Sequence, residues 1–410
     1  MEIKNVKKIG DILLAALALA FLAAALFRFL GNRTSNKPGT HTIIVSRWLE
    51  NNPEGETFNN LINDFENLHD KIKITLNTLP YEDLREALFN SDKVLSEGDE
   101  LFPGDVIVLD PLWIPELLKK EIIESAYTTF VPSINVFYYN IDALKEAGFT
   151  RPPKTRSEFL SYARTLAGRG RDSQNLTRST SSGLTMGLNS SRGIYDDIFP
   201  WIWSAGTKLI QDGKPIVSSR PVIESLSFLF SLNSEGLIVP GTFSADSEKK
   251  LDDFISGKAA FMIAPARDIR FVRESMGDET FGITSIPVPD NYAGKTFFGT
   301  SAWALGIHAA STHKEEAKLF ADFLAEKAPV FSEQTNAIPG SGTRTTQDDF
   351  HSKVQDITFA GESVQDFSGL PWTELEAAFK EELTAMFAGK SSPTEASTRI
   401  QTKWETVMGR

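Results

Sequence analysis

An α/β chain, with parallel sheets flanked by helices, is what the sequence predicts, and three observations predict it. From Thr42 onward strands and helices alternate; a short apolar strand at Val106 to Leu109 lies between Asp105 and Asp110; and Phe254 to Ile263 reads as a helix end, a Gly-Lys turn and a buried strand. Alternation of this kind gives parallel strands joined by helical crossovers.

The first unit begins with the strand Ile43 to Ser46. Phe58, Leu61, Ile62, Phe65 and Leu68 then recur at helical spacing, and Ile72, Ile74 and Leu76 alternate as a strand does. A second helix is expected around Leu84 to Leu95. Pro103-Gly104 punctuates the entry to the third strand, and a helix from Ile114 to about Glu124 follows it. Ligands of such sheets bind outside the carboxyl ends of the strands, where Trp48, Asp110 and Trp113 lie.

Before this unit stands an export-like segment. Lys4, Lys7 and Lys8 precede an apolar run from Ile12 to Phe27, the charge-then-apolar order of a signal. Ala23 and Ala25 suit a small-residue cleavage site, yet Leu26, Phe27, Phe29 and Leu30 continue the apolar character past it. Carried through Leu30, with Arg28 snorkelling, the run reaches the length of a spanning helix. Residues 1–30 are therefore read as a signal peptide or an uncleaved anchor, and 31–40 as a polar linker. The 410 residues contain no cysteine, which excludes disulfides, thiolate metal sites, cysteine nucleophiles and an acylated lipoprotein cysteine. A formal charge of −12 argues against nucleic acid as a partner.

The richest stretch runs from Asn135 to Leu166. Asn135 to Tyr139 suits a buried strand, Asp142 to Ala147 a short helix stopped by Gly148, and Pro152-Pro153 forbids continuation. Thr155 with Glu158 forms a capping box ahead of Phe159, Tyr162, Ala163 and Leu166. Farther on come Phe254 to Ile263, Phe281 to Pro289 and Gly299 to Ile307, read as a helix end with a strand and then two more strands. Thr312 with Glu315 opens a helix burying Ala317, Leu319, Phe320, Phe323 and Leu324. Two helical stretches fill Leu370 to Trp404.

The wording of these elements resembles the family 1 extracellular solute-binding proteins, the maltose-binding-protein-like sugar receptors of bacterial ABC importers. Tyr139-Asn140, Gly148, Pro152-Pro153 and Lys154-Thr155 carry the resemblance, with FISGKAAFMI, FGITSIPVP and GTSAWALGI following in the family's order from about residue 41 to the end. It implies a two-lobed periplasmic-binding-protein type II fold, each lobe a mostly parallel sheet flanked by helices, with a hinge between. Carried over, the boundaries are 41–131 plus 266–309 for the first lobe and 134–263 plus 314–410 for the second. Crossings are expected near Val131 to Ile134, Ile263 to Ala266 and His308 to His313. The chain departs from the family between Asp110 and Tyr138, where relatives carry a longer excursion; a shallower cleft is expected.

The resemblance also implies a saccharide ligand, an ABC permease as partner, a monomeric exported receptor and no cofactor. A sugar needs aromatic plates for its C–H faces and acids or amides for its hydroxyls. Trp48, Asp110, Trp113 and Trp303 from the first lobe, and Tyr195, Asp196 and Trp372 from the second, stand at the matching edges. Core packing competes for every tryptophan, and Trp201 and Trp203 read as core. Arg267 stands where an aromatic is common, and its guanidinium suits an acidic saccharide or plain pairing with Asp268.

No catalytic or metal constellation emerges. His308 and His313 lack the spacing of a zinc helix motif, and no Gly-x-Ser-x-Gly elbow or phosphate loop is present. Ser247 to Lys250 matches Ser-x-x-Lys but opens an acidic, exposed-looking helix. Asp196-Asp197, Asp252-Asp253 and Asp348-Asp349 are pairs of a kind common on solvated faces. Two further readings stay open, a sugar sensor for a membrane kinase and a saccharide-cleaving enzyme.

Overall fold

The computed structural model describes residues 39–48, 53–89, 102–127, 133–172, 182–190, 192–301, 303–334, 349–364, 366–367 and 369–409. The apolar segment at 1–30 lies outside these. No helix among the described residues is long and apolar enough to cross a membrane.

In chain order the strands are β1 (His41–Arg47), β2 (Ile72–Thr78), β3 (Val106–Leu109), β4 (Ile123–Tyr127), β5 (Ser133–Asn140), β6 (Ser182–Thr185), β7 (Ile210–Gln211), β8 (Lys214–Pro215), β9 (Ala259–Pro265), β10 (Phe281–Thr284), β11 (Thr296–Phe298), β12 (Thr300–Ser301), β13 (Ala304–His308) and β14 (Gly361–Ser363). They form two principal sheets, ordered β2-β1-β3-β13-β4 and β10-β5-β9-β6, the second joined by β12 against β5. Each carries its own helices, so the architecture is the two-lobed α/β arrangement expected.

The βαβ unit forms as its pattern dictates. Phe58 and Phe65 of helix Pro53–Leu68 are fully buried and meet Phe320 of helix Lys314–Gln334 edge to face, at 6.5 and 5.0 Å between ring centres. Glycine is required at Gly104: its φ is +98°, and a Cβ there would stand 2.8 Å from the Ile44 carbonyl oxygen. In the second lobe Asn140 caps helix Ile141–Glu146, Gly148 at φ +86° ends it, and Glu158 N–H donates to Thr155 Oγ1 at 3.4 Å. The Glu158 carboxylate turns instead to Arg151 and the Lys154 N–H, so only half of the expected capping box forms.

Several expectations are corrected. Within the two principal sheets the parallel pairs are β1–β2, β1–β3 and β6–β9, while β4, β5, β10, β12 and β13 pair antiparallel. The helix after Asp110 spans Ile114–Lys119 only, because Glu121 turns left-handed at φ +55° and the β-branched Ile122-Ile123 pair leads into β4.

Residues 266–298, assigned above to the first lobe, lie with the second: β10 pairs with β5, and Ile269, Val272 and Phe281 share a core with Ile134, Val136 and Tyr138. Ile263 to Ala266 is thus the end of β9 and the first residue of a 3-10 turn, not a crossing, and the return to the first sheet comes between β12 and β13. Likewise Lys314–Gln334 packs on the first sheet, through Ala317, Phe320 and Leu324 against Ile43, Val45 and Ile307. The helix starts one residue later than the Thr312 cap implies, with His313 at the cap position and its carbonyl accepting from Ala317 N–H at 2.9 Å. No crossing occurs at His308 to His313, and helix Asp349–Ala360 packs against β10.

Candidate functional site

The carboxyl ends of β1, β2 and β3 build one wall. Trp48 follows β1, Tyr81 opens the helix after β2, and Asp110 with Trp113 follows β3. Their rings form one aromatic group, with centres 4.7 Å apart for Tyr81 and Trp113, 5.3 Å for Trp48 and Tyr81, and 5.6 Å for Trp48 and Trp113. Asp110 is the only acid in this group. Its Oδ1 accepts the Leu112 N–H at 2.9 Å, and its Oδ2 accepts the Tyr81 hydroxyl at 2.8 Å. Burial, and then the charge on Asp110, push the Tyr81 phenol well above its ordinary range, so it remains a donor.

The opposing wall is irregular. After β6 the chain runs through Arg192 into a π-helical turn, Ile194–Ile198, and then helix Phe199–Trp203. Pro200, which lacks an N–H, interrupts the ordinary i to i−4 ladder at this point, and Gly193 lets the turn press onto the Gly187 carbonyl, where a Cβ would come within 2.5 Å. The turn points Tyr195 and Asp196 inward. Tyr195 meets Trp203 at 5.0 Å and Trp372 at 5.8 Å, both edge to face.

Arg192 joins the walls. Its Nη1 donates to Asp110 Oδ2 at 2.5 Å, while Nε and Nη2 donate to Asp196 Oδ2 and Oδ1 at 3.2 and 3.3 Å, and the guanidinium lies 4.6 Å over the Tyr195 ring. Asn135, at the start of β5, donates to Asp196 Oδ1 at 2.9 Å. Burial opposes the charge on Arg192, but Asp110 and Asp196 override it and raise the guanidinium well above its usual value. Burial likewise opposes the charge on Asp196; Arg192, Lys250 and the Asn135 amide hold its carboxyl below the ordinary range. One cation therefore stands between two carboxylates, one from each lobe. Beneath it Lys250 Nζ donates to Asp197 Oδ1 at 2.9 Å, and Gly187 N–H to Asp197 Oδ2 at 2.8 Å.

A second contact crosses between the lobes, from Arg85 to Glu376 at 3.5 Å. Glu376 lies one turn after Trp372 and is buried; that burial outweighs Arg85 and Lys380 and pushes its carboxyl up to about 8. At neutral pH the contact is that of a guanidinium with a largely protonated acid. Among the described residues, Trp113 Nε1, Asn135 Oδ1 and Glu376 Oε1 are buried without a hydrogen-bond partner. Polar atoms in that condition are costly unless something with hydroxyls or amides meets them.

The structure brings together Trp48, Asp110, Trp113, Tyr195, Asp196 and Trp372 of the residues singled out from sequence. Trp372 is 1% exposed and packs on Phe367 at 4.8 Å, so it supports the wall as core. Trp303 sits in the first-lobe core beside Phe331, with Trp48 at 6.4 Å. Arg267, next to the start of β5, has its N–H on Ser133 Oγ at 3.2 Å and its guanidinium drawn to Asp268. Trp201 and Trp203 are core, as read. Asp196, Asp197 and Asp253 are buried rather than solvated, and Lys250, taken as part of an exposed helix, is buried against Asp197, because helix Ser247–Ile255 packs on β9 and β6.

Sequence reasoning missed Tyr81, Arg192, Asn135 and Glu376. Tyr81 obeys the strand-end rule that selected Trp48, and Glu376 is i+4 from Trp372. Arg192 has the i, i+4 spacing to Asp196. Its reach to Asp110 had no local signal.

Residues 50–330 match the model of the bacterial extracellular solute-binding protein family. Among curated proteins, the chain is similar to a binding protein of Brucella abortus (strain 2308), 23% identical over 64% of this chain and 62% of that protein. It is also similar to the sn-glycerol-3-phosphate-binding periplasmic protein of Pectobacterium atrosepticum, 23% identical over 65% of this chain and 62% of that one. The chain thus spans less than two thirds of these relatives. In fold it is similar to the GacH receptor of Streptomyces glaucescens, crystallised unliganded and with acarbose (TM-score 0.72, 15% identity, 90% of this chain and 99% of that one). The maltodextrin-binding domain of Bdellovibrio bacteriovorus bound to maltotriose (0.70, 15%, 90% and 100%) is similar too. So is an Agrobacterium radiobacter solute-binding protein in complex with ribitol (0.67, 20%, 90% and 100%).

Proposed function

The chain belongs to the bacterial extracellular solute-binding protein family, and on that premise we propose that it captures a neutral saccharide or polyol between its two lobes and delivers it to an ABC permease. The observation that carries this reading is the Asp110–Arg192–Asp196 bridge between two aromatic walls. Arg192 pairs with both carboxylates. A ligand's hydroxyls donate to remaining lone pairs of these carboxylates and to Asn135 Oδ1 and Glu376 Oε1, and accept from the Trp113 Nε1–H, while its C–H faces rest on Trp48, Tyr81, Trp113 and Tyr195. Contacts to both lobes favour closure because only the closed form makes them all. Two carboxylates already match Arg192, which supports a neutral ligand over an acidic one; an acidic ligand would depend on Arg267 or Arg85.

The strand pairing supports lobes of 41–127 with 303–334 and of 133–301 with 349–409. The pairing of β12 with the first residues of β5, just ahead of the return to β13, supports a hinge beside that pair. The apolar segment at 1–30, kept as an anchor, would hold this receptor at the outer face of the membrane.

A thermal-shift panel tests the proposal. Neutral oligosaccharides and polyols should raise the melting temperature by mass action, since only the folded state binds them. If glycerol 3-phosphate, uronates or peptides shift the curve and neutral sugars do not, the assignment is wrong. Product release from an oligosaccharide during incubation would replace it with an enzyme.

A further inference from the structure

At the other end of the first sheet lies a cluster that ligand capture does not use. His41 is the first residue of β1 and Trp48 follows its last, so seven residues of extended chain, about 23 Å, separate this cluster from the cleft. His41 Nδ1 contacts Glu316 Oε1, and the His41 and His313 rings stand 5.7 Å apart at 61°. One ligand atom from each of His41, His313 and Glu316 falls within 4.8 Å of the others.

We propose that His41, His313 and Glu316 form a binding site for a divalent transition metal of the zinc class. Two imidazoles and one carboxylate are a nitrogen-rich set that suits Zn2+ and its neighbours and is poorly matched to Ca2+ or Mg2+, which take oxygen ligands. Three protein ligands leave a position for water. Tetrahedral coordination at 2.0–2.2 Å places donors about 3.3 Å apart. Side-chain rotation covers the remaining convergence, since His41 is half exposed.

The backbones that carry the three ligands are already fixed to one another. His41 N–H donates to the Lys71 carbonyl at 2.8 Å. His313 N–H donates to Ser311 Oγ at 3.1 Å, Ser311 Oγ donates to buried Asp105 Oδ1 at 2.7 Å, and Asp105 Oδ2 accepts the Ile44 N–H of β1 at 2.7 Å. Strand and helix start are thus coupled through one carboxylate, and a site on rigid elements loses little entropy when an ion arrives. Glu315 and Glu316 in the first helical turn offset the positive helix end that a cation would otherwise meet. A lone exposed His–Glu pair contributes little; the third ligand, aimed at the same point, is what makes a site.

The test is titration of the full, tag-free chain with ZnCl2 in a non-chelating buffer by calorimetry, with Co2+ absorption reporting the ligand field. One ion per chain is expected, with His41→Ala and Glu316→Gln each weakening it at least about tenfold. Both variants should keep the wild-type circular dichroism and the ligand-induced thermal shift, because neither side chain is core or near the cleft. Absence of saturable Zn2+ binding, or equal affinity in both variants and wild type, overturns the proposal.

Discussion

The two walls of the cleft are made by different means. The first is an aromatic group with one acid, mounted where three parallel strands end. The second is a π-helical turn whose shape depends on buried ions: Arg192 with Asp196, Lys250 with Asp197 and Asn135 bracing Asp196. A sheet end positions side chains through hydrogen bonds the backbone must make anyway. An irregular turn has no such ladder, so its geometry is set by side-chain charges that are expensive to bury singly.

That contrast predicts where the molecule breaks. Arg192→Ala leaves Asp110 and Asp196 buried without their cation and should cost about 3–5 kcal/mol, measurable by urea denaturation; a loss below 1 kcal/mol would mean that the second wall does not rest on its ions. Trp372→Ala removes a buried ring from behind Tyr195 and should cost about 3–4 kcal/mol. Wild-type stability with weakened binding would instead make Trp372 a ligand plate. Tyr81→Phe deletes one bond to Asp110, which keeps Leu112 and Arg192, so about 1.5 kcal/mol is expected.

The smallest effect is in pH dependence. Glu376 holds its proton more tightly folded than unfolded, so its contribution is full below the ordinary carboxyl range near 4.5 and is lost as pH rises through about 8. Wild type should therefore lose stability between pH 5 and pH 8, on the order of 1 kcal/mol or more, relative to Glu376→Gln. Parallel pH curves for the two proteins would place the proton elsewhere.

The same contrast explains what was legible in the sequence. Period-2 and helical patterns identified β1, β2, β3 and their helices, and the strand-end rule then located Trp48, Asp110 and Trp113. The Tyr139-Asn140 to Thr155 wording led to β5 and its two helices. What escaped was non-local. Nothing near Phe281 announces that β10 pairs with β5, and nothing near Arg192 shows that its guanidinium meets Asp110, 82 positions away. Asp196-Asp197 looked like a solvated pair because its partners, Arg192, Asn135 and Lys250, come from three different elements. Charge partners assembled by tertiary packing leave no periodic trace.

The central claim is that Asp110 is shared between Arg192 in the ligand-free protein and a neutral sugar hydroxyl in the complex. Isothermal titration of the best neutral ligand from the panel, on wild type and Asp110→Asn, tests it most directly. The account predicts saturable binding without product release by wild type and at least about tenfold weaker binding by the variant, a loss of about 1.4 kcal/mol or more. Equal affinity in both proteins would contradict it.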